Sequence, residues 1–158
     1  MLFADCRGFT KMMHEHGPQA VRPVIDRFFR VCSGIVVAQD GIIDHFLGDA
    51  VLAFFNVPIR HEDHAARAVR AALEIQKAVA AFDLPFGGRL QVGMGITTGM
   101  AYTGVVGSDS CSDYTALGDA VNIASRIQGH AAPGEVLVAE ETYLRAKDAF
   151  RFGQQRAL

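Results

Sequence analysis

The sequence has little cysteine and no long apolar run. Its three cysteines, Cys6, Cys32 and Cys111, are odd in number and form no C-x-x-C pair, which excludes a disulfide framework and favours a reducing, cytoplasmic setting. The purest apolar stretch, Ala50–Phe55, is far shorter than the roughly 20 residues that span a bilayer. No charged segment followed by an apolar one opens the chain, so we expect no signal peptide. A cytosolic domain of a larger or membrane-anchored protein remains compatible with this pattern.

An excess of either charge is also missing. The chain has 15 Lys and Arg residues against 17 Asp and Glu, a net charge of −2, so no global charge attracts nucleic acid or an anionic membrane surface. Half of the 158 residues are apolar, which excludes a disordered chain and suits one globular domain. Strand-like residues at 2–4 and 150–153 predict a single domain over 1–158 whose limits are cut at both ends.

The spacing of apolar residues predicts an α+β domain. Helical spacing predicts helices over residues 18–37, 63–81, 121–127 and 139–147. The β-type runs predict two hairpins, 41–46 with 50–55 and 90–96 with 100–106, followed by a strand at 135–138. This order favours a ferredoxin-like βαββαβ plan, in which helices pack on one face of a mixed, mainly antiparallel sheet.

Two carboxylates fall at strand ends. Asp5 follows the apolar start of the chain, and Asp49 lies in the tight turn between two β-type runs. Alone, Asp5 suits a turn cap and Asp49 suits an ordinary Gly-Asp turn. In a βαββ unit, however, these two ends meet at one edge of the sheet. Together they could bind hard cations such as Mg²⁺ or Mn²⁺ and leave coordination sites for phosphate oxygens.

A polar pair opens the helix predicted at 121–127. Asn122 and Arg126 are spaced i,i+4 on one face. Arginine suits planar contact with phosphate, and the helix N-terminus adds positive potential. An ordinary solvent-facing pair fits the spacing equally well. No Walker loop, no H-E-x-x-H and no G-x-S-x-G occurs, so P-loop, zinc-protease and serine-hydrolase chemistry are unsupported.

Five blocks of the sequence resemble, in family order, the catalytic domain of class III nucleotidyl cyclases, which are adenylyl and guanylyl cyclases. Each block is weak alone, but the set is very specific and covers nearly the whole chain. The blocks are FADCRGFT (3–10), DHFLGDAVLAFF (44–55), VGMGITTG (92–99), TGVVGS (103–108) and DYTALGDAVNIASRI (113–127).

The resemblance implies conversion of a nucleoside triphosphate to its 3′,5′-cyclic monophosphate and pyrophosphate, for intracellular second-messenger signalling. It implies two Mg²⁺ or Mn²⁺ ions per site, held by Asp5 and Asp49. It also implies that Asn122 orients the ribose and Arg126 stabilises the pentavalent phosphate. The family works as a head-to-tail dimer, so a homodimer would carry two shared sites, with no nucleic-acid or membrane partner for this domain. The phosphates would lie against the backbone of the segment that contains Cys6, Gly8 and Phe9.

Two departures from the family pattern bear on activity. The base-recognition position carries lysine in adenylyl cyclases and usually glutamate in guanylyl cyclases, and here it is His45. Its partner position, Thr115, can donate or accept and decides nothing. Histidine can donate to adenine when protonated or in the right neutral tautomer, which favours ATP over GTP. The phosphate-binding lysine of the family follows a final hairpin that this chain does not reach.

Two functions are therefore open. The set Asp5, Asp49, Asn122 and Arg126 favours an active cyclase. His45 favours a catalytically weak or inactive cyclase-like module that dimerises and regulates. Production of a cyclic nucleotide from ATP or GTP discriminates the two.

Overall fold

The computed structural model describes residues 1–157, which form seven strands and four helices. The strands are β1 (Leu2–Cys6), β2 (Gly41–Leu47), β3 (Ala50–Phe55), β4 (Val92–Ile96), β5 (Tyr102–Ser108), β6 (Cys111–Leu117) and β7 (Val136–Val138). The helices are α1 (Phe9–Ala38), α2 (His64–Ala80), α3 (Asp119–His130) and α4 (Glu140–Ala146).

The main sheet has the order β2-β3-β1-β4-β7. The pairs β2–β3, β3–β1 and β1–β4 are antiparallel, and β7 lies parallel to β4. In the central strand β1, Leu2, Ala4 and Cys6 are buried and alternate with the partly buried Phe3 and Asp5, as expected for side chains that point to opposite faces. The predicted α+β plan with a mainly antiparallel sheet is confirmed.

Helices pack on both faces of the sheet, so the prediction of a single covered face is wrong. The core between the sheet and helices α1 and α2 contains Phe28, Ile75 and Met94. Helix α3 contacts β1, β4 and β7 on the opposite face. A side-chain carbon at Gly95 would lie 2.6 Å from the carbonyl oxygen of Ala124 in α3. Glycine in β4 therefore permits the close approach of this helix.

The predicted hairpin between 90–96 and 100–106 is also wrong. Strand β4 is occupied on its two edges by β1 and β7. Strand β5 pairs instead with β6, from Tyr102 opposite Leu117 to Ser108 opposite Cys111, and forms a separate two-stranded ribbon that we call the arm. The polar residues of β6 conceal it in the sequence, because most of its side chains are exposed and no apolar alternation develops.

The remaining differences concern the ends of elements. Helix α1 begins at Phe9, nine residues before the predicted start, and continues across a kink at Gly17, whose φ of 76° is not helical. The predicted strand at 150–153 does not form. Phe150 and Phe152 pack against the core instead, and the ring centroids of Phe152 and Tyr143 lie 5.2 Å apart. No helix within residues 1–157 is long and apolar enough to cross a membrane.

Candidate functional site

Asp5 and Asp49 come together at one end of the sheet, where β1 ends and β2 turns into β3. Asp5 pairs with Ala50 across the sheet. The amide of Cys6 donates a hydrogen bond of 3.3 Å to the carbonyl of Asp49. The two carboxyl groups lie close enough for the charge of Asp5 to act on Asp49. The structure thus brings together the pair that the strand order predicts.

Burial makes both of these acids harder to ionise. Burial raises the pKa of Asp5, while the Arg7 guanidinium opposes that shift. Burial, followed by the negative charge of Asp5, raises the pKa of Asp49 to about 6. Two adjacent carboxylates that resist ionisation are stabilised when a cation binds between them.

Arg7 and Gln128 hold Asp5 in place, and the sequence analysis assigned no role to either residue. Arg7 donates to Oδ2 of Asp5 at 3.3 Å and to the carbonyl oxygens of Gln128 and Ala131 at 2.6 and 2.8 Å. The amide nitrogen of Gln128 donates to the same Oδ2 of Asp5 at 3.2 Å. Arg7 therefore ties the C-terminal end of α3 to the end of β1.

The turn from β1 into α1 presents backbone rather than side chains. Gly8 has a φ of 77° and precedes the first residue of the helix. A side-chain carbon there would meet no atom within 4 Å. The Cys6 side chain is buried in the core and Phe9 packs against the core, and burial raises the pKa of the Cys6 thiol. Cys6 and Phe9 could thus contact a ligand chiefly through their main chain.

Asn122 and Arg126 lie on the outer face of α3. Ala120, Ala124 and Gln128 form the buried face of this helix, whereas Asn122 and Arg126 are exposed. The predicted i,i+4 pair exists, but it points away from the sheet face that carries Asp5. The structure does not bring this pair together with the two acids of the same chain.

A β-bulge in β2 directs His45. The register shifts between Ile43 and His45, so Asp44 has no cross-strand partner in β3 and His45 is paired with Leu52. Nδ1 of His45 lies 2.9 Å from Oδ1 of Asp44, and Nε2 lies 3.7 Å from Oδ2 of Asp113 in β6. Thr115 lies two residues beyond Asp113 and hence on the same side of the arm. Because a bulge shifts side chains between faces, simple alternation does not reveal this placement.

The donors at the sheet end fit a hard divalent cation. Among residues 1–157, no cluster of three or more His, Cys, Asp or Glu side chains could hold a metal by itself. Two carboxylates alone suit an ion such as Mg²⁺, which keeps several positions for water and for substrate phosphates. Soft ligands are absent from this pair, which argues against a structural zinc site here.

The sheet, the arm and the paired acids define a nucleotidyl cyclase type of domain. The model of the family described as adenylate and guanylate cyclase catalytic domain matches residues 1–157. The chain belongs to this family, whose members are enzymes of the lyase class.

Relatives and solved structures agree with this assignment. The chain is 36% identical over 135 residues to adenylate cyclase 1 of Rhizobium meliloti, which covers 81% of this chain and 20% of that protein. The adenylyl cyclase CyaB from P. aeruginosa is 31% identical with a TM-score of 0.82, over 94% of this chain and 79% of that one. The GTP-bound guanylate cyclase domain of RhGC from Catenaria anguillulae is 25% identical with a TM-score of 0.88, over 95% and 82%.

The chain is short beside its curated relatives. It spans 20% of the Rhizobium meliloti protein and 34% of the adenylate cyclase of Mycobacterium tuberculosis (strain H37Rv). The resemblance therefore concerns the catalytic domain of these longer proteins.

Proposed function

We propose that this domain converts a nucleoside triphosphate, ATP in preference to GTP, to its 3′,5′-cyclic monophosphate and pyrophosphate. In this reaction the ribose O3′ bonds to the α-phosphorus and its proton passes to water. The bond from that phosphorus to the bridging oxygen breaks, and pyrophosphate leaves with this oxygen. The observation that carries the proposal is the meeting of Asp5 and Asp49 at one sheet end, with raised pKa values and Arg7 beside them. The product would serve as an intracellular second messenger.

Asp5 and Asp49 would hold two Mg²⁺ or Mn²⁺ ions. Bound there, such ions lower the pKa of the attacking hydroxyl and neutralise charge on the phosphates. Arg7 and Gln128 both donate to Oδ2 of Asp5, so Oδ1 would be the oxygen offered to a cation. The open backbone turn at Gly8 supports contact of main-chain N–H groups with the phosphates.

A head-to-tail homodimer would complete the site. Asn122 and Arg126 project from the outer face of α3, so they suit the acids of a second copy better than those of their own chain. Large apolar side chains are exposed on the arm and on α3, which is typical of an interaction surface. These side chains are Tyr102, Val105, Tyr114, Leu117 and Ile123. Arg126 would then stabilise charge on the transferred phosphate, and Asn122 would orient the ribose.

The test is an assay of the purified chain with ATP and GTP separately, in the presence of Mn²⁺, with chromatographic detection of the cyclic product. Asp49→Ala should lower turnover by about a hundredfold or more, because each carboxylate supplies charge that the cations need. Its melting temperature should not fall, since the fold raises the pKa of Asp49 to about 6 and the ionised side chain therefore does not stabilise the metal-free protein.

The matched control is Asp83→Ala. Asp83 is an acid whose side chain is 88% exposed and pairs loosely with Arg89 at 3.8 Å. It should retain full activity. A folded Asp49→Ala protein that keeps its activity would refute the two-metal assignment.

The second candidate is a cyclase-like module that dimerises and regulates without turnover. The observation that favours it is His45, which stands where the family carries lysine or glutamate. Such a module would form a dimer and bind nucleotide without yielding a cyclic product, so the same assay, together with nucleotide binding, separates the two functions.

A further inference from the structure

Asp44 is a buried acid with an incomplete set of partners. Its side chain is 1% exposed, and within residues 1–157 its Oδ2 has no hydrogen-bond partner. A buried carboxylate oxygen without a hydrogen-bond partner is costly. The hydrogen bond made by the other oxygen is therefore the main interaction that stabilises the Asp44 side chain. That contact is with Nδ1 of His45, at 2.9 Å.

This contact decides where His45 carries its proton. If Nδ1 had no hydrogen, its lone pair would face a carboxylate lone pair at hydrogen-bonding distance, which is repulsive. Beside an ionised Asp44, Nδ1 therefore carries a hydrogen and donates it to Oδ1 of Asp44. In the neutral ring Nε2 is then an acceptor, and only the protonated ring makes Nε2 a donor. An ionised Asp44 thus disfavours the neutral tautomer that donates from Nε2.

Among residues 1–157, the charged group nearest to the His45 ring is Asp44. From the arm, Asp113 faces Nε2 at 3.7 Å, but its side chain is 69% exposed and solvent screens its charge. Strand β3 presents the apolar Leu52 opposite His45. Helix α1 meets β2 through the stacked rings of Phe29 and Phe46, 4.4 Å apart.

We propose that Asp44 is a specificity-determining positioning residue, which fixes the hydrogen of His45 on Nδ1 and thereby makes the purine preference of the site depend on pH. This inference rests on the proposed function, in which Nε2 meets the purine edge. A protonated ring, whose Nε2 donates, would pair with the N1 acceptor of adenine and oppose the N1–H of guanine. A neutral ring, whose Nε2 accepts, would take the N–H of guanine. Asp44 acts through His45 and does not touch the nucleotide.

The kinetic test compares kcat/KM for ATP with kcat/KM for GTP between pH 6 and pH 8. In the wild type the ratio should fall about tenfold as pH rises, the equivalent of one hydrogen bond gained or lost. In Asp44→Asn the side-chain amide can donate to an unprotonated Nδ1, so both tautomers become available and the ratio should vary much less. Asp113→Asn is the matched control, an acid beside the other ring nitrogen, and should keep the wild-type dependence.

His45→Lys supplies the second control. Lysine donates throughout this pH range, so the ratio should favour ATP and stay flat, with or without Asp44→Asn. A wild-type ratio that does not change with pH, or an Asp44→Asn ratio that changes as much as the wild type, overturns the proposal.

A measurement without turnover separates this inference from the proposed function. Nitrogen-15 NMR of the nucleotide-free protein reports which ring nitrogen of His45 is protonated, and His45→Gln identifies its signals among the six histidines. We expect hydrogen on Nδ1 in the neutral wild-type ring and a mixture of tautomers in Asp44→Asn. A neutral ring protonated on Nε2 overturns the inference even if the protein is an active cyclase. Absence of any cyclic product refutes the cyclase function, and the NMR result still decides the role of Asp44.

Discussion

At the scale of single residues, proton and metal compete for Asp49. Its pKa is raised to about 6 by burial and by the charge of Asp5. Below that pH the carboxyl is protonated and a cation must displace the proton. Mn²⁺ affinity should therefore rise as pH increases through about 6, by up to about tenfold per pH unit below it. Calorimetric titration of Mn²⁺ at several pH values measures this dependence.

The raised pKa of Asp49 also makes the stability of the metal-free protein fall as pH rises. An acid whose pKa is higher in the folded state than in the unfolded state favours folding when protonated, and this contribution is lost as pH rises through the folded-state value. Asp49→Asn cannot ionise, so above pH 6 it should melt at a higher temperature than the metal-free wild type. An Asn variant that is less stable than the wild type at pH 8 without metal would contradict this account of the pair.

The sequence predicts that Asp5 and Asp49 meet, but it does not predict the surroundings of His45. Asp5 and Asp49 follow from strand ends, and the structure places them together. His45 is identified from a family resemblance, but the bulge at Asp44 and the contacts of both ring nitrogens are tertiary facts. A bulge changes which face a side chain occupies without leaving a local signature in residues 41–47.

At the scale of elements, Arg7 links β1 to α3. Its side chain is 22% exposed, and it donates to two carbonyl oxygens near the end of the helix. Arg7→Ala should lower the free energy of unfolding by about 1–3 kcal/mol, because these carbonyls lose a charged donor. Urea denaturation measures the loss.

Two further variants test whether the planar guanidinium of Arg7 is needed for this link. Arg7→Lys should recover only part of the stability, since a single ammonium cannot reproduce planar contacts to several acceptors. Arg89→Ala, at a site that is 71% exposed, should change the stability little. Equal losses for Arg7→Ala and Arg89→Ala would show that the link contributes nothing specific.

Elements with clear periodicity are predicted well, and strand pairing is not. Helix α2 lies within one residue of its predicted limits at each end, because its small apolar residues repeat at helical spacing. Strand β4 and strand β5 follow each other in the sequence and look like a hairpin. Strand β4 pairs instead with β7, which the sequence predicts as a strand but which lies far along the chain, and β5 pairs with β6, which is too polar to be predicted as a strand.

At the scale of the whole molecule, the proposed dimer makes a clear prediction. Asp49→Ala and Arg126→Ala should each be inactive as homodimers. Mixed, they form heterodimers in which one of the two sites contains only wild-type residues. Activity should recover to about a quarter of the wild-type value after random exchange, in an assay of the mixed and separately incubated proteins. No recovery in a sample with demonstrated heterodimers would exclude shared sites.

The contacts of Arg7 and Gln128 have a consequence for such a dimer. They bind the acid end of β1 to α3 of the same chain. In a shared-site arrangement that acid serves one substrate, while Arg126 on the same α3 serves the other. A displacement of Asp5 at the first site would then be carried along one helix to the second. Turnover at one site of the dimer would then affect turnover at the other. This cooperativity would depend on the guanidinium of Arg7 and the side-chain amide of Gln128.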